Sequence, residues 1–179
     1  SEDSQPIAEL HAEMTELAPE SIDGWAMQLE ELLVMPQWSG RPGTSSLVGL
    51  AVLHDPSDSS VGWIADPEHQ RWSEQLPAFL ASRPLVTHDA KPLLRRLLFL
   101  DWRLPEVAFD TKIGAYLLDP ADPRYSLDEL VSRYTEYEPS QPEQQAQLSF
   151  DGEADECSQY LGREVLAVAA LSSVIRSGL

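Results

Sequence analysis

Apolar positions fall into short continuous runs up to about residue 65 and take on helical spacing beyond it. Residues 1–19 are polar and acidic and read as a loosely ordered lead-in. Residues 20–31 (ESIDGWAMQLEE) place Ile22, Trp25 and Leu29 on one face of a short helix. The run Leu32, Leu33, Val34, Met35 has the length of a buried strand. After the turn-rich SGRPGTSS, seven nearly continuous apolar residues from Leu47 to Leu53 predict a second one. Val61, Gly62, Trp63 and Ile64 follow a polar DPSDSS turn, so the second and third strands are expected to form a hairpin.

Helix and strand then alternate. The pattern predicts a helix over 69–81, a strand over 84–87, a helix over 90–100, a short strand at 107–109 and a helix over 111–118. Ser126 followed by Glu129 spells a capping box, opening a helix that runs to about Tyr134. The Pro-, Gln- and Glu-rich stretch 135–152 reads as a long loop, and one helix is expected from Glu153 to the end. A meander of strands followed by strand–helix alternation indicates an α/β domain over 20–179, a mixed sheet with helices on its faces.

Composition narrows the function classes. No apolar stretch approaches the roughly 20 residues of a membrane span, and the first residues carry neither a basic nor an apolar signal region. Cytoplasmic location is the expectation. Cys157 is the single cysteine, which excludes an intrachain disulfide and a cysteine-rich zinc site. His11, His54, His69 and His88 share no ligand spacing, and no phosphate-binding glycine loop or nucleophile elbow is present. A net charge of −18, with Lys91, Arg95 and Arg96 as the densest basic cluster, argues against strong nucleic-acid binding by this domain alone.

The stretch 86–134 carries more than periodicity. Asp110 before Thr111 suits a helix N-cap after a strand, and Asp119-Pro120 suits a helix end. Beyond these local readings, VTHDAKPLLRRLLFL followed by VAFDTKIGAYLLDPADPRYSLDELVSRY resembles the 3′–5′ exonuclease domain of bacterial family A DNA polymerases. The residues that carry the likeness include His88, Lys91, Phe109, Asp110, Thr111, Tyr116, Asp119, Pro120 and Asp128, and LVGLAVL matches the family's second strand. The resemblance runs from about residue 25 to the end. It implies a ribonuclease H-like (DnaQ-like exonuclease) fold, a mixed central sheet flanked by helices. It also implies a polymerase domain of the same parent chain as partner, with DNA engaged through that enzyme.

Active members of the family hold two divalent cations on four carboxylates, and Mg²⁺ needs such hard oxygen ligands. The resemblance places Met35 and Gln37 at the first-strand Asp and Glu positions, and Leu93 at the Asp of the following helix. Tyr160 and Glu164 match the last motif, with Glu for Asp; they share a helix face at i and i+4. A thioether, an amide and an isobutyl group cannot hold Mg²⁺ or Mn²⁺. The expectation is therefore a domain without metal or other cofactor, catalytically inert, serving as a scaffold for DNA replication and repair. Asp89 reads as the N-cap of the helix opening at Ala90, while Glu30 and Glu31 precede the strand and face solvent. Two alternatives stay open: a metal-dependent proofreading exonuclease using displaced carboxylates such as Glu31, Asp89, Asp110 and Glu164, and a nucleotide- or protein-binding module in the old cleft. Val174 and Ile175 exceed what one buried stripe of the last helix requires, and are expected to be exposed for a polymerase contact.

Overall fold

The computed structural model describes residues 9–138 and 154–179. Its strands are β1 (Glu13–Glu16), β2 (Leu32–Trp38), β3 (Leu47–Asp55), β4 (Ser60–Ala65), β5 (Leu85–Thr87) and β6 (Val107–Asp110). They make one sheet in the order β1-β4-β3-β2-β5-β6. The hairpin β3–β4 and the β2–β3 pair are antiparallel, while β1–β4, β2–β5 and β5–β6 are parallel. The helices are α1 (Ile22–Trp25), α2 (Gln75–Ala81), α3 (Lys91–Phe99), α4 (Thr111–Leu118), α5 (Leu127–Tyr134) and α6 (Ala154–Gly178).

Alternation along the strands divides the core. Leu32 and Val34 of β2, with Leu50, Val52, Ile64 and Leu85, face α1, α2 and α3. Leu33 and Met35 of β2, with Ala51, Trp63 and Val86, face Leu161, Val165 and Val168 of α6. This period-2 alternation is the packing logic of a sheet covered on both faces. A third cluster joins Ala115 of α4, Leu130 and Val131 of α5, and Leu171 and Ile175 of α6.

Four expectations need correction. The lead-in is not loose over its last part: Glu13–Glu16 pairs with β4, and Ala12 and Leu17 are buried on either side of it. Residues 1–8 lie outside the described residues. The helix expected over 20–31 stops at Trp25, and Arg83 binds the carbonyls beyond, donating from Nη2 to Ala26 O at 2.9 Å and from Nε to Leu29 O at 2.6 Å. The helix expected over 69–81 is a 3₁₀ turn at Gln70–Trp72 followed by α2. Pro77 explains the split, because a residue without an N–H fits only the first turn of a helix. Finally, Ile175 is fully buried in the third cluster, and of the pair only Val174 is exposed. The capping box stands as expected, with Glu129 N donating to Ser126 Oγ and that hydroxyl donating to Glu129 Oε1 at 2.6 Å. The expected 135–152 loop falls largely on residues 139–153, outside the described residues.

Candidate functional site

Two of the positions that the resemblance assigns to metal ligands, Met35 and Gln37, lie on β2. Met35 is buried among the side chains that face α6. Thr87 Oγ1 donates to Val34 O at 2.7 Å and lies 3.6 Å from Met35 Sδ, so the thioether sits in a closed, weakly polar niche. Gln37, two residues on and half-buried, shares that face by alternation. Leu93 does not join them. It is 1% exposed in the core formed with α1 and α2, on the opposite side of the sheet from Met35.

Tyr160 and Glu164 lie on α6 and share a side-chain hydrogen bond. The Glu164 carboxyl is pushed up from 4.5 to about 7, first by burial and then by the negative charge of Asp128, against the opposing effects of Tyr160 and Arg163. The pair thus presents a half-buried carboxyl that resists ionisation and faces a second carboxylate.

Each displaced carboxylate has a structural partner. Glu31 takes both guanidinium nitrogens of Arg176, at 3.2 and 3.3 Å. The same guanidinium lies over the ring of Phe109, 4.8 Å from its centroid. Asp89 faces Lys112 Nζ at 3.4 Å and has a left-handed backbone, φ 62°. It does not cap α3, whose N-cap residue is Ala90, with no side-chain oxygen of its own to offer. The cap comes from the neighbouring strand instead. Asp110 Oδ1 accepts from Asp89 N at 2.9 Å and from Lys112 N at 2.9 Å, and Oδ2 accepts from Ala90 N at 2.8 Å. One carboxylate thus serves the starts of both α3 and α4; the α4 half of this was legible locally, the α3 half was not. His88 Nδ1 lies 2.9 Å from Thr111 Oγ1, and burial pushes its imidazole below the ordinary value despite Asp110 and Asp89 nearby. Among the described residues no three His, Cys, Asp or Glu side chains gather as a metal site would require.

Known proteins place this geometry. No family model matches the chain. DNA polymerase I of Mycobacterium tuberculosis is 28% identical over 131 residues, 72% of this chain. DNA polymerase I of Mycobacterium leprae is 30% identical over 117 residues, 64% of this chain. Over these stretches the chain is similar in sequence to DNA polymerase I. It spans only 13% and 11% of the lengths of those two relatives.

Among solved structures, the POL domain of Pol1 from M. smegmatis, in complex with a DNA primer-template and dNTP, has a TM-score of 0.69 at 20% identity. That likeness covers 93% of this chain and 27% of the other. Escherichia coli RNase D, an exoribonuclease, scores 0.72 at 14% identity over 93% of this chain and 45% of its own. Brucella melitensis NrnC scores 0.71 at 20% identity over 92% of this chain and 78% of its own. The fold is that of the ribonuclease H-like DnaQ exonucleases, a mixed six-stranded sheet flanked by helices.

Proposed function

We propose that this domain is a non-catalytic exonuclease-like scaffold within a DNA polymerase I, packing against the polymerase domain and leaving DNA synthesis to residues outside this chain. The observation that carries the reading is Leu93. At the position where the family's helix presents a ligand, an isobutyl side chain is sealed in the core on the far side of the sheet from Met35. Met35 and Gln37 supply no anionic oxygen, and Glu164 holds its proton to about pH 7. Among the described residues a pair of Mg²⁺ or Mn²⁺ ions has no ligand set, and the domain meets DNA only through the parent enzyme, in the cytoplasm.

The reading is tested by incubating the domain with a 5′-labelled single-stranded oligonucleotide and Mn²⁺ and following its length from the 3′ end. No shortening is expected. Trimming that disappears in Glu164→Gln would overturn the proposal, because a contaminating nuclease would survive that change. Millimolar Mn²⁺ should also leave Tm unmoved, whereas binding at 100 times Kd would add about 2.7 kcal/mol. The rival reading, an active nuclease, draws support from a related fold: Brucella melitensis NrnC has been solved with bound Mg²⁺. It requires ligands that the described residues do not bring together.

A further inference from the structure

If the domain is a scaffold, some face must receive the rest of the chain. The end of α6 is a poor choice, since Ile175 belongs to the domain's own core. Among the described residues, four of the nine large apolar side chains that stay exposed gather elsewhere. Leu98 on α3, Leu104 after it, and Ile113 and Tyr116 on α4 are 66%, 44%, 59% and 52% exposed, and all four line one groove of about 750 Å³. The core accounts for Leu93 and Leu97 of α3. Leu94 and Leu98 form a second apolar stripe on the same helix, which burial against the sheet does not explain.

The groove's position is open to a partner. α3 packs on one face of the sheet and α4 packs with α6 on the other, so the groove passes over the outer side of β6. β6 ends the sheet, with no strand beyond it among the described residues.

Charge says what the partner carries. In a chain of 12 cations against 30 acidic residues, Lys91, Arg95 and Lys112 all line this groove. Lys112 is paired with Asp89, while Lys91 and Arg95 are exposed and enter no ion pair among the described residues. A nucleic-acid strand would want aromatic platforms for its bases. Here the floor is mainly aliphatic, and Tyr116 and Tyr125 meet each other edge-on at 6.0 Å. The chain also spans a small part of its DNA polymerase I relatives, so in them this region is joined to a much longer chain.

We propose that the groove between α3 and α4 receives the polymerase portion of the parent chain, through an apolar segment flanked by carboxylates. This inference rests on the scaffold reading above. Apolar contact supplies the affinity, and Lys91 and Arg95 fix the orientation of the segment.

Hydroxyl-radical footprinting of this chain alone and of the full-length polymerase tests both ideas separately. Leu98, Leu104, Ile113 and Tyr116 should be modified several-fold less in the full-length protein. Lys91→Glu with Arg95→Glu should restore much of their reactivity there, with a smaller restoration at high salt, which screens the repulsion. Protection confined to another face would overturn the groove assignment and leave the scaffold reading standing. No protection anywhere would remove both. Protection of the groove only when a single-stranded oligonucleotide is added would make it a nucleic-acid surface and overturn the inference.

Discussion

Asp110 offers its two carboxylate oxygens to three backbone N–H groups, whereas Glu164 shares its carboxyl with one phenol and faces a second carboxylate. Both are acidic side chains withdrawn from bulk water at positions matched to a nuclease motif. The first is fully committed to structure: it joins β6 to α3 and α4 and would have to abandon three backbone donors to serve a metal. The second has little that favours its charged form. Burial and Asp128 leave it a carboxyl of near-neutral pKa. A carboxylate retained in a motif is therefore no evidence of catalysis until its acceptor sites are accounted for.

Changes at these two residues should differ in size and sign. Asp110→Ala leaves three backbone donors without their acceptor and should cost about 3–4 kcal/mol in urea denaturation. Loss below about 1 kcal/mol would mean that water replaces the carboxylate, and that the double cap is incidental.

Glu164→Gln should act in the opposite direction. The folded carboxyl titrates near 7 against an ordinary 4.5, so the folded state binds more protons than the unfolded state between those values. Stability should fall as pH rises through that window and level off above it, by up to roughly 2–3 kcal/mol. Glu164→Gln removes this loss and should make the protein more stable than the parent at pH 8, with little difference at pH 4. Denaturation curves across pH that run parallel for the two proteins would refute the assignment.

Ser126→Ala gives a scale for an ordinary, exposed cap and should cost about 1 kcal/mol, well short of Asp110→Ala. Asp128→Asn is the subtlest change. It removes the like charge near Glu164 but also a favourable acid in the first turn of α5, so stability should move by only a few tenths of a kcal/mol. The Glu164 titration midpoint, followed by NMR, should nonetheless shift downward; an unmoved midpoint would leave burial as the whole cause.

The element order was legible because runs of period 2 and helical spacing are local signals. β2 through β6, α3, α4, α5 and α6 all appear where the pattern placed them, give or take a few residues. What escaped was decided at a distance. Glu13–Glu16 carries no apolar run and becomes a strand only because β4 offers it an open edge. The start of α3 looked self-capped by Asp89, yet its acceptor stands 20 residues further on, in Asp110. At the candidate site, the chemistry of Met35, Gln37 and Leu93 could be read from residue type. That Leu93 lies across the sheet from Met35 follows from which sheet face α3 covers, a matter of long-range packing. The groove between α3 and α4 was foreshadowed only by the Lys91, Arg95 and Arg96 cluster, because its apolar lining is assembled from two helices and the loop between them.

The placement of β1 also has a bearing on the order of assembly. Its flanking residue Ala12 is gripped by the Gln159 amide, which accepts from Ala12 N and donates to Ala12 O, both at 2.8 Å. At Gly162 a methyl group would overlap Met14 Sδ and Ala12 Cβ, so the strand lies directly against α6. A ribosome releases residue 12 long before residue 159, and loop closure over 147 residues is slow compared with forming the β3–β4 hairpin. The first strand of the chain is then the last to be fastened. In pulse-labelled refolding, the amides of Glu13 and Leu17, which bond to Ser59 O and Trp63 O, should gain protection after those of β3. Until α6 arrives, β4 presents a bare edge, and that interval is when the nascent domain is most exposed to pairing with another chain.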